Sequence, residues 1–180
     1  MHPAPLALHE WHEFYLLLGT AAAALVALLF VGVSIGVGYL TEDRTAATRF
    51  FISPIVVHFG SVLLISAMAL VPEKIPLLIE TIIGLNAVAG LIVTGAVLAR
   101  VMVSHFPGVV AVDHFGYGLA PMISYGVILA AIICAASGWE WSPFLLAAGV
   151  CVLLLVNIRN AWDMMLTLVR RTGAPRGENP

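Results

Sequence analysis

From residue 14 to residue 40 the chain runs "FYLLLGTAAAALVALLFVGVSIGVGYL", 27 residues without one charged side chain. A run of about 20 apolar residues is long enough to cross the hydrocarbon core of a bilayer as a helix. In lipid a lone spanning segment must be helical, because only a helix pairs its own backbone N–H and C=O groups. Four more runs of this kind follow, at about 50–71, 77–102, 117–136 and 144–169. Between them lie "TEDRTAATR", read as a charged turn, "PEKIP", whose two prolines break the chain, the loop "SHFPGVVAVDHFG", and "GWEWSP". The pattern predicts an all-α, polytopic transmembrane helical bundle of five spans. It divides into an N-terminal interfacial segment (1–13), a five-helix transmembrane domain (14–169) and a polar cytoplasmic tail (170–180), with no internal repeat.

Composition excludes the main rivals. The chain is 61% hydrophobic and 10% charged, against about 45–50% and 25% for soluble domains. The short alternating segments of a transmembrane barrel are absent. No basic stripe exists, so nucleic acid is not an expected partner; the lipid bilayer is. No Lys or Arg precedes the first apolar run and no small-residue cleavage site follows a short apolar core, so a cleaved signal peptide is not expected. Cys134 and Cys151 stand alone in apolar runs, without metal spacing, and read as lipid-facing or packing residues.

An odd number of spans puts the termini on opposite sides, and the basic residues decide which. The N-terminus and the second and fourth loops together carry only Lys74. The first loop, the third loop with its helix end, and the C-terminus carry Arg44, Arg49, Arg100, Arg170, Arg171 and Arg176. The positive-inside rule therefore places the N-terminus outside and the C-terminus in the cytoplasm, with Trp11, Trp139 and Trp141 at the outer interface.

Within the spans, polar residues are the candidates for function. In "NIRNAWD" Arg159, Asn160 and Asp163 cluster on a helical wheel, Asn157 lies at the edge of the same face, and Arg159 and Asp163 are spaced to pair. Exposing this face to lipid would be unfavourable by roughly 2.5–3.5 kcal/mol for each central charge, so it is expected to turn toward protein or water. Snorkelling of Arg159 to the cytoplasmic headgroups is the alternative. Counted at about 1.5 Å per residue from the cytoplasmic end of each span, Ser34 lies about 9 Å deep, and His58, Ser124 and Tyr125 about 12 Å deep. Asn157 to Asn160 lie about 13–18 Å deep on that count. Ser34, His58, Tyr125, Asn157, Arg159, Asn160 and Asp163 thus form an expected polar layer in the inner half. On the outer side Glu13 and Glu80 are candidates for an acidic rim that would concentrate cations.

His9, His12 and Glu13 in "HEWHEF" share a helical face on which zinc or copper could be held, beside the simpler reading of an interfacial amphipathic helix. His58 is the one histidine deep in a span, so a bis-histidine haem site would need a second copy of the chain; no cofactor is expected. There is no Ser–His–Asp or Cys–His arrangement, no phosphate-binding Gly-rich loop and no paired intramembrane carboxylates, so no enzyme is expected. In the first span Gly19, Ala23 and Ala27 recur every four residues, and Gly32 and Gly36 form GxxxG. Small residues let helices approach closely, either within the chain or between copies in a homo-oligomer.

The opening "WHEFYLLLGTAAAALVALLFVGVSIG" resembles a loosely defined group of small multi-pass bacterial proteins. Their first span joins a W-H/D-E/D-F start to an Ala-rich stretch and "LLFV-x-VS", and the closing "NIRNAWD" is similar to sequences related to this one. The resemblance covers the first span and implies a location in the bacterial inner membrane; it carries over no catalytic or binding residue. The resulting expectation is a homo-oligomeric protein that forms or gates a cation or proton path. Glu13 and Glu80 would form its rim, and His58, Asn157, Arg159 and Asn160 its inner constriction. A repeat-based transporter fits a short chain without repeats poorly. The alternatives are a non-conducting scaffold or regulatory subunit whose polar layer is interhelical glue, and a metal- or haem-binding electron-transfer subunit.

Overall fold

A computed structural model describes residues 6, 8–37, 42–72, 75–103 and 115–172. Among these no strand occurs and the chain is all-helical. The helices are α1 (His12–Val37), α2 (Glu42–Leu70), α3 (Pro76–Val103), α4 (Ala120–Ala136) and α5 (Ser142–Thr172). A 3₁₀ turn (Leu8–Trp11) leads into α1 and a wide π-type turn (Phe115–Leu119) into α4. Three helical stretches, Leu8–Ser34, Pro76–Ala99 and Ser142–Leu166, are long and apolar enough to cross a membrane. The apolar stretches Pro54–Leu70 and Ala120–Ala136 are shorter.

The helix ends follow local chemistry. α2 stops before Pro72, and α3 begins on Pro76, where the missing N–H removes no helical hydrogen bond. At the end of α4, Gly138 takes φ +75°. Its N–H donates to the Ala135 carbonyl (2.9 Å) while Trp139 N–H donates to that of Cys134 (3.0 Å). This is the paired closure that a left-handed glycine makes possible, and it turns the chain into α5 within five residues. Two ends differ from the sequence reading. "TEDRTAATR" is helical from Glu42 onward rather than a turn, and α5 runs to Thr172, into the expected tail. Hydropathy marks where the membrane is; Ala, Glu and Arg are good helix formers and carry a helix beyond it. The loop 104–114 and residues 173–180 lie outside the described residues.

α2 is the hub: α1 and α3 flank it, α4 packs beside α3, and α5 closes the bundle against α4 and α2, with a lighter contact to α1. The Trp11 ring meets Phe144 edge-on at 4.7 Å, so the starts of α1 and α5 share one end of the bundle. Leu6 N–H donates to Glu80 Oε1 (3.3 Å) at that same end, which we call the Trp139 end. Leu6 and Leu8 are buried there beside Val71, Pro76 and Ile79.

Inside, Tyr15, Ile55, Phe59, Ile65, Ile83, Ile128, Leu146 and Leu153 form the core. Outside, Leu17, Leu28, Phe30, Leu77, Leu85 and Ile92 are exposed. An apolar girdle of this kind would be a liability in water and is the ordinary surface of a helix bundle in lipid. Trp141 and Trp162 are both exposed on α5 and its lead-in. At 1.5 Å per residue they stand about 31 Å apart, close to the roughly 30 Å thickness of the hydrocarbon core.

Candidate functional site

α2 turns Ile55, His58, Phe59, Val62, Ile65 and Ala69 inward at helical spacing. Midway along the bundle α4 sends Tyr125 across to meet that face. The Tyr125 hydroxyl donates to Ser61 Oγ (2.9 Å) and lies 3.0 Å from His58 Nδ1. A phenol has one proton, so in the arrangement in which Tyr125 donates to Ser61 the His58–Tyr125 bond has Nδ1–H as its donor. The Tyr125 ring fits because α3 offers a glycine: a Cβ at Gly90 would collide with that ring. Three helices thus meet at one phenol, with His58, Ser61 and Tyr125 all buried.

α5 adds two ties. Asn157 Nδ2 donates to the Ile55 carbonyl of α2 (2.9 Å), and Asn160 Nδ2 donates to the Gly116 carbonyl (2.7 Å). Both amides are buried. Their spacing of three residues puts them on one face, and each reaches a different neighbour. Ser124 and Thr94 are buried too, but their hydroxyls bond back to the carbonyls of Ala120 and Gly90 on their own helices, so they satisfy themselves without tying helices together.

The remaining residues of the expected layer lie elsewhere. Ser34 is exposed, its hydroxyl donating to the Phe30 carbonyl of its own helix (2.8 Å); equal depth does not mean an equal direction around the helix. Arg159 and Asp163 pair at 3.6 Å and are 46% and 40% exposed. Arg159 Nη1 lies over Gly116, where a Cβ would come within 2.5 Å of it. Arg159 stands about 5 Å along the axis from the level of Trp162, so the pair sits near the end of the apolar girdle.

At the Trp139 end Glu13 is exposed, whereas Glu80 is part-buried and holds Leu6. His9 belongs to the 3₁₀ turn and His12 begins α1, and His9, His12 and Glu13 line one open cleft together with Glu10. Among the described residues no group of three or more His, Cys, Asp or Glu is placed to hold a metal ion. In α1, Gly19 packs on Ser66 and Gly32 on Met165, while Ala23 and Ala27 face outward; the surroundings of Gly36 lie outside the described residues.

Sequence reasoning missed Ser61, Gly90 and Gly116. A serine or glycine in an apolar run carries no distinguishing local signal, since its role depends on a side chain that arrives from another helix. Trp162 could have been found: an isolated tryptophan 21 residues after Trp141 in one helical run marks a second interface. No protein-family model, curated protein or solved structure matches the chain.

Proposed function

We propose that this chain is a non-conducting scaffold or regulatory subunit of a bacterial inner membrane, whose buried polar layer fastens its own helices. The observation that carries the reading is the destination of those side chains. Tyr125, His58 and Ser61 bond to one another, and Asn157 and Asn160 bond to backbone carbonyls. Interhelical hydrogen bonds of this sort hold bundles together in lipid. The clefts at Leu6–Glu80 and at His9–Glu13 both lie at the Trp139 end, away from the layer.

The same reading takes all five helices as spans, with the N-terminus outside. The arginine distribution supports that orientation, and the 29 residues of α2 support its crossing. Partners would be met at the lipid-facing surface or at the helix ends. Flux measurements in proteoliposomes provide the test. The expected result is no ion or proton current at any pH, together with a stoichiometric partner recovered by crosslinking in native membranes. A current abolished by His58→Leu or Asn157→Leu would overturn it.

The second reading, an ion path in a homo-oligomer, is favoured by the outward position of Ala23 and Ala27 on α1. Such a path would run between copies along that face, with Glu13 at its mouth.

A further inference from the structure

Two buried acceptors in the polar layer have no protein donor: His58 Nε2 and Asn157 Oδ1. Their identities as acceptors follow from their partners. A carbonyl can only accept, so the Asn157 atom on the Ile55 carbonyl is the NH₂ group, and the other atom is the oxygen. With Tyr125 donating to Ser61, His58 Nδ1–H donates a hydrogen bond to the Tyr125 oxygen, and in that tautomer Nε2 of the neutral ring carries a lone pair. The two residues are 1% and 0% exposed.

They also stand at one level. A helical carbonyl points toward the C-terminus, at the N–H four residues on. The Ile55 carbonyl therefore lies beside the backbone of residues 58 and 59, and the Asn157 amide that donates to it is carried to the level of His58. α2 and α5 pack on each other, and the Asn157–Ile55 bond joins them at this level. A buried acceptor without a donor keeps its desolvation penalty, and two at one level on packed helices call for a ligand that supplies two donors.

We infer that His58 Nε2 and Asn157 Oδ1 together bind one internal water molecule, which donates a hydrogen bond to each and forms a third tie between α2 and α5. Water fits by chemistry: it is small, neutral and carries two O–H donors, and buried waters sit where otherwise unsatisfied polar groups converge. Two acceptors sharing one water lie roughly 4.5–5.5 Å apart, given two bonds of about 2.8 Å. The site concerns the interior of one chain, so it is independent of whether the protein conducts or has a partner.

The test uses the full chain in nanodiscs of deuterated lipid, with ¹⁵N-labelled histidine and asparagine and His58 assigned through its backbone correlations. The expected result is an unprotonated, hydrogen-bonded Nε2 together with a magnetisation-transfer peak from bulk-exchanging water to the His58 ring and the Asn157 amide. A protonated Nε2 bonded directly to Asn157 would overturn the inference, because the residues would then satisfy each other. So would an unprotonated Nε2 without a hydrogen bond, or the absence of any water peak at both residues.

Discussion

At the scale of single residues, the bundle depends on a glycine that has no polar role of its own. Gly90 makes room for the Tyr125 ring, which carries the bonds to His58 and Ser61. Gly90→Ala forces the ring away from α3 and is expected to destabilise the protein by about 1–3 kcal/mol, the usual range for overpacking. Tyr125→Phe keeps the ring but leaves the His58 Nδ1–H without its acceptor, for a loss of about 1–3 kcal/mol. Denaturant titration in mixed micelles measures both, and their double variant should lose less than the sum, since each breaks the same contact. Asn157→Leu and Ser34→Leu form a second pair. The first removes an α2–α5 tie, worth about 0.5–2 kcal/mol in lipid; the second touches only a hydroxyl bonded within α1, so its stability should stay within about 0.5 kcal/mol of the parent. Equal losses would contradict the inward and outward positions assigned to them.

Elements are where sequence and structure agree best and where their disagreement is most instructive. Each apolar run coincides with a helix among the described residues, and three of these are long and apolar enough to cross a membrane. The runs misjudged ends: α2 begins eight residues before its apolar run, since nothing in hydropathy tells a polar helical turn from a loop. The depth count brought His58, Tyr125 and Asn157 to one level but placed Ser34 with them. Depth is set by position along one helix; direction is set by which neighbour that helix meets. Ser34 and Ser124 look alike in sequence, yet one is exposed and the other buried. The break between α4 and α5 was legible as "GWEWSP", but its geometry was not. Gly138→Ala puts a Cβ on a residue at φ +75°, a strain of about 1 kcal/mol. The expected outcome is a modest loss of stability with faster hydrogen exchange at Gly138 and Trp139, whose N–H groups close the helix; unchanged exchange at both would show that the closure is dispensable.

For the whole molecule, the shared end of α1 and α5 makes the proposed orientation a direct measurement. In a Cys134→Ala, Cys151→Ala background, Trp139→Cys should react with an impermeant thiol reagent on intact cells, and Arg176→Cys only after permeabilisation. The opposite pattern would invert the proposed topology. The long-range ties also bear on how the protein is made. Tyr125 lies 67 residues after His58, and Asn157 lies 102 after Ile55. While the ribosome is still synthesising α3, the α2 imidazole has no phenol to hydrogen-bond and no amide from the last helix at its side. Release of each segment into lipid as it emerges would strand that ring among acyl chains. On the proposed topology the nascent hairpin is expected to stay beside the insertion machinery until α4 arrives, and a chain truncated before Tyr125 to be held there or degraded; normal release and accumulation of that truncated chain would contradict it.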